Sequence, residues 1–112
     1  MKKQVLVRRV PNPHIVWFHF KRVVSQTHQE FWRPLSALSE GYLSKLKNEK
    51  TAKAIRRIIR LPGVERVTIS TYELYAEYAE MFTRSEIEPT VLRILCEEIF
   101  EANVEDVEVT YK

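Results

Sequence analysis

Cysteine is nearly missing from this sequence and glycine is almost as scarce, with one Cys and two Gly in 112 residues. A lone cysteine, Cys96, excludes an intramolecular disulfide and a thiolate-only metal site within one chain. Gly41 and Gly63 stand apart from each other, so no glycine-rich phosphate loop is present. Two Gly and five Pro also exclude a collagen-like or low-complexity chain. Long apolar runs are missing too. The longest is 15–18, against the roughly 20 residues of a membrane-spanning helix. The first residues are charged and lead into a strand pattern containing Arg8 and Arg9. That is unlike the apolar centre of a secretory leader, so a cytoplasmic chain with reduced thiols is expected.

What is present is a globular composition, 45% apolar and 29% charged. At this length one domain spanning 1–112 is expected, large enough to fold without metal or disulfide. The net charge of +3 conceals a division. Residues 1–60 hold fourteen Lys or Arg against three Glu, and 61–112 hold four against twelve Asp or Glu. Such a split suits a basic surface for nucleic acid or an acidic partner. It also suits a compact domain whose halves neutralise each other, which is the plainer expectation.

Periodicity orders the chain. Val5, Val7 and Val10 mark a strand over 4–10, which Pro11-Asn12-Pro13 ends. A second strand is expected over 15–24, with Val16, Phe18 and Phe20 on one face and Ile15, Trp17 and His19 on the other. Its two apolar faces suggest a central strand. The polar segment 25–33 has no clear pattern. Pro34 suits the start of a helix carrying Leu35, Leu38, Tyr42 and Leu46. A second helix is expected over 51–60, with Thr51 as N-cap. Ile55, Ile58 and Ile59 form its buried stripe, and Lys53, Arg56, Arg57 and Arg60 face water. Leu61-Pro62-Gly63 stops it. A hairpin follows, 64–71 and 74–82, with Val67, Ile69, Leu74, Ala76 and Tyr78 inward. Thr83 or Ser85 caps the next helix, and Ser85-x-x-Glu88 fits a capping box. Its stripe is Ile87, Val91, Leu95 and Ile99. A last strand is expected over 104–111. Val-Glu-x-Val recurs at 64 and 104, forty residues apart, a faint repeat of strand, helix, strand. The expected fold is α+β: a four- to five-stranded sheet with two main helices on one face, in ββαββα(β) order.

Chemistry has few carriers. His14 and His19 point to opposite faces of one strand, so they cannot share a metal, and no metal or other cofactor is expected. Cys96 falls among Leu92, Leu95 and Ile99 as a small packing residue. Glu97, Glu98, Glu101, Glu105 and Asp106 read as a solvated face. No catalytic constellation emerges, and the chain is not expected to be an enzyme. The segment that stands out is basic and aromatic: Trp17, His19 and Lys21 on one strand face, then Trp32 and Arg33, with Arg56, Arg57 and Arg60 on the helix. A sheet face of aromatics and cations can stack single-stranded nucleic acid. Packing of Trp17 beneath the segment 25–50 is the plainer expectation.

Specific residues resemble a known family. A strand, Pro11-Asn12-Pro13, then Val16 and Phe18 resemble the opening of the N-terminal domain of Nfu/NifU-type iron–sulfur scaffold proteins. Ala54 to Ile59, Gly63-Val64, the hairpin residues Val67, Ile69, Leu74 and Ala76, and Glu88-Pro89-Thr90-Val91 follow in that family's order. His14 departs from the family's second asparagine, 20–51 is longer, and 104–111 has no counterpart. The family's cluster-holding Cys-x-x-Cys belongs to another domain and is not in this sequence. The resemblance therefore implies the fold and a docking or scaffold role without cluster chemistry. Another protein is the expected partner, and the resemblance implies a setting in iron–sulfur protein biogenesis. A small nucleic-acid-binding domain is the alternative.

Overall fold

A computed structural model describes residues 3–11 and 14–112. Asn12 and Pro13 of the opening motif lie outside the described residues. The elements are β1 (Gln4–Arg8), β2 (Ile15–Phe20), β3 (Gln29–Trp32), α1 (Ala37–Ser44) and α2 (Glu49–Ile59). Then come β4 (Val64–Ile69), β5 (Glu73–Tyr78), α3 (Arg84–Ile99), a 3₁₀ turn (Val104–Asp106) and β6 (Glu108–Tyr111). Six strands form one sheet in the order β3-β4-β5-β2-β1-β6. Neighbours are antiparallel except β1 and β6, which run parallel.

Alternation decides which face is covered. Val5, Val7, Val16, Phe18, Phe20, Phe31, Val67, Ile69, Leu74, Ala76 and Tyr78 are all buried on one face. Against that face α2 packs on β4 and α3 on β2, and the two helices pack on each other. Ile55, Ile58 and Ile59 of α2 and Ile87, Val91, Leu95 and Ile99 of α3 fill the layer. The α+β class and the one-sided helices are as the sequence predicts. The expected count of four to five strands and two main helices is exceeded by β3 and by α1, the latter being the shorter helix expected after Pro34. The strand β3 has only Phe31 buried among polar neighbours, so its period carries little signal.

Other local readings shift for identifiable reasons. The second strand ends at Phe20, well before Val24, whose carbonyl instead accepts from Thr51 Oγ1 at 2.6 Å. Thr51 is thus buried in the core, and Asn48 caps α2 by accepting from the Thr51 N–H at 3.1 Å. The first helix is capped by Ser36, past Pro34, and its Leu38 is 69% exposed while Leu43 and Leu46 are buried. Thr83 caps α3, its N–H donating to Glu86 Oε1 at 3.0 Å. Glu88, the residue expected in a capping box with Ser85, is buried and accepts from Arg9 at 3.0 Å. The two Val-Glu-x-Val copies are unlike: the first lies in β4, the second is largely the 3₁₀ turn. The hairpin strands are shorter than expected, closed by Ser70 N–H to the Glu73 carbonyl at 2.9 Å.

Gly63 is fixed by conformation and space. Its φ is +91°, and a Cβ there would stand 2.5 Å from the Phe82 ring, where only glycine fits without movement.

Leu95 and Ile99 join α3 to the sheet, at 0% and 4% exposure. Leu95→Ala or Ile99→Ala should cost about 2–5 kcal/mol, a large share of the roughly 5–15 kcal/mol typical of a domain. Urea unfolding measures this, and an unchanged midpoint in either variant would mean α3 is not docked there.

Candidate interaction surface

The same alternation that buries one sheet face leaves the other without a helix over it. Trp17 points to this open face, not beneath 25–50 as the plainer expectation held. Segment 25–50 lies instead on the edge strand β3 and on the helix side, where α1 packs on α2.

Cross-strand registers set the neighbours on the open face. Arg8 of β1 pairs with Trp17 of β2, Trp17 with Tyr75 of β5, and Tyr75 with Thr68 of β4. Arg66 of β4 pairs with Trp32 of β3. The result is a row of rings and guanidinium groups across five strands, Arg8, Trp17, Tyr75, Arg66 and Trp32. The Arg8 guanidinium carbon sits 5.2 Å from the Trp17 ring centre. Trp17 and Tyr75 have centroids 5.5 Å apart, tilted 49°. Arg66 lies 6.0 Å from Tyr75 and 5.2 Å from Trp32. Such contacts contribute about 0.5–1 kcal/mol each where water has access. Trp32 ends the row and is 55% exposed.

Carboxylates hold the row in place. Trp17 Nε1–H donates to Glu73 Oε2 at 2.8 Å, and His19 Nδ1 stands 3.3 Å from Glu73 Oε1. Arg66 is bonded to Glu77 and lies 3.7 Å from Glu30. At the far edge Gln4 donates to Glu108 at 3.0 Å. Charge on this face therefore comes from Arg8 and Arg66 against Glu30, Glu73, Glu77 and Glu108. Within the strands this face thus carries more carboxylates than cations, with Lys21 just past the end of β2.

The sequence-derived candidates divide between two places. Trp17, His19 and Trp32 share the open face. Lys21 is exposed just past β2, and Arg33 follows β3, donating to the Leu61 carbonyl at 3.1 Å. Arg56, Arg57 and Arg60 belong to the helix layer behind the sheet and do not join Trp17. Arg56 binds Glu40 at 3.1 Å, and Arg57 binds Glu97 and Glu98 at 2.9 Å each. Those bonds to Glu97 and Glu98 raise the Arg57 pKa despite partial burial. Lys50 adds a pair with Glu101 at 3.4 Å. Among the described residues Arg57 and Lys50 thus set α2 beside carboxylates in and just past α3, the side-by-side placement that the plainer reading of the charge split expected. Arg8, Arg66, Tyr75 and Glu73 were not singled out from sequence. The outward period of β5 hints at Tyr75, but only the register joins it to Trp17.

Among the described residues no group of three or more His, Cys, Asp or Glu is placed to hold a metal ion. Cys96 is fully buried, and burial, aided by the charges of Glu97 and Glu105, pushes its thiol up to about 11.

Solved structures resemble this one, among them the following two. A solution NMR structure of a NifU-like protein from Saccharomyces cerevisiae superposes with a TM-score of 0.61. The match covers 91% of this chain and 82% of that one at 13% identity. A crystal structure of a Staphylococcus aureus protein matches with a TM-score of 0.53. It covers 79% of this chain and 92% of the other at 9% identity. The likeness is one of fold. No family model matches the chain, and no curated protein matches it in sequence. The NifU-like fold inferred from Pro11, Gly63-Val64 and the hairpin is therefore supported by shape alone.

Cys96 generates a test of the buried layer. Its thiol should resist alkylation at pH 8 in the folded chain and react at once in denaturant. The unfolded thiol ionises near 8.5 and the folded one near 11. The neutral thiol therefore favours the fold below about pH 8.5, and that contribution fades as pH rises toward 11. Urea midpoints at about pH 8 and 10.5 should fall further for the parent than for Cys96→Ala. Equal falls would place the thiol in water.

Proposed function

We propose that this chain is a non-catalytic protein-docking module of NifU-like fold, and that the open sheet face is its working surface. The observation that carries the reading is the row Trp32–Arg66–Tyr75–Trp17–Arg8 on a face that bears more carboxylates than cations. Large aromatic groups next to Arg, left without a helix over them, are the composition of protein interface centres. Nucleic acid would need phosphate-binding cations beside the rings. Both Arg of the row are already covered by rings, and Arg66 is shared by Glu77 and Glu30. Lys-rich α2 lies on the other layer, with three of its cations paired to Glu.

The resemblance in sequence and the shared fold with a NifU-like protein support a setting in iron–sulfur protein biogenesis. The chain would act there as a scaffold or docking element and not as a cluster carrier, since a cluster usually takes four thiolates. A cytoplasmic location is part of the same proposal.

A photo-crosslinking residue tests the reading. Placed at Trp32 and activated in the source cell, it should capture protein. Placed at Lys53, exposed on the helix layer, it should capture little. Nucleic-acid adducts at Trp32, or equal yields at both positions, would contradict the proposal.

A further inference from the structure

Resting on that reading, we infer that the open face receives an extended, cationic protein segment. Charge chooses the sign of the partner. Four Glu and two Arg occupy the strand positions of the face; Arg8 already lies over a ring, and Arg66 over rings and against two carboxylates. The Glu30 side chain is 42% exposed and that of Glu77 35%, so both keep surface for a second cation. An incoming Lys or Arg would meet the exposed ring of Trp32 beside Glu30, combining a cation–π contact with a carboxylate. An acidic segment would meet Glu30, Glu73 and Glu77 and gain nothing that the free chain does not already have.

The dimensions choose the shape of the partner. Five strands at about 4.8 Å spacing make the row roughly 19 Å long. An extended segment of about six residues spans that length. Its side chains on one side recur about every 7 Å. Cations at alternate positions would then fall near Glu30 on β3 and near Glu77 or Glu73 on β5, with the aliphatic stems of Lys lying on the rings between them. A helix of about six residues is only some 9 Å long and would reach half the row.

The two tryptophans are the only two in the chain, so their indole N–H resonances report this face without ambiguity. The full chain would be titrated with an alternating Lys-Ser peptide of about eight residues, its Glu-Ser counterpart, and an oligothymidine of about twelve nucleotides, which fits a single-strand site. The Lys-Ser peptide is expected to shift both indole signals to saturation, more weakly as salt rises. Glu30→Gln with Glu77→Gln should weaken it roughly fivefold or more, while Glu49→Gln on the helix layer should not. Should the double variant fold poorly, Glu30→Gln alone and the salt series carry the same comparison. Shifts by the Glu-Ser peptide alone would overturn the cationic partner but leave the docking surface standing. Shifts by the oligothymidine alone would overturn both. Silence with all three would overturn the cationic segment and leave docking of an apolar or folded partner.

Discussion

Phe18 of β2 stands opposite Leu74 of β5, and both are fully buried at the centre of the sheet. One position along, Trp17 stands opposite Tyr75, and both point the other way. These two pairs are inseparable, because a strand's side chains alternate with a period of two. Driving Phe18 and Leu74 beneath α3 necessarily raises Trp17 and Tyr75 to the opposite face. A slip of one residue that turned β2 over against β5 would bury Trp17 and His19 and expose Phe18. The hydrophobic layer therefore sets the geometry of the docking face as well as the stability of the fold.

Two electrostatic systems follow from this layering. Behind the sheet, cations of the first half meet carboxylates of the second: Arg57 with Glu97 and Glu98, Lys50 with Glu101, Arg9 with Glu88. Most of these pairs are partly exposed and add little each, and they set part of the basic half against the acidic one. In front, Arg66 lies between Trp32 and Tyr75, and Glu73 accepts the Trp17 indole N–H. This surface is aromatic, and its strand positions carry more carboxylates than cations.

Legibility in the sequence followed the strength of the period. The stripes of α2 and α3 and the inward residues of the hairpin were readable, since each repeats an apolar residue at a fixed spacing. Gly63 after Pro62 correctly marked the stop of α2. The strand β3 was not readable, because four residues with one buried Phe31 leave no alternation to see. Leu38 and Tyr42 look like a buried stripe in sequence, yet α1 turns Leu43 inward and leaves both exposed. Asn48 lost to Thr51 as the apparent cap because the tertiary bond from Thr51 to Val24 is invisible locally. The docking row was half legible. Trp17 and Trp32 stood out as residue types, whereas Arg66 and Tyr75 joined them only through strand register, which links positions up to 58 residues apart in the row.

The central claim is that the aromatic row is kept for a partner and not for the fold. Stability of Trp32→Ala by urea unfolding tests it most directly. Because the ring is 55% exposed and lies against the Arg66 guanidinium, the account predicts a loss of about 1 kcal/mol or less. A loss of about 3 kcal/mol, as for an aromatic removed from a core, would contradict it and make the row a structural element.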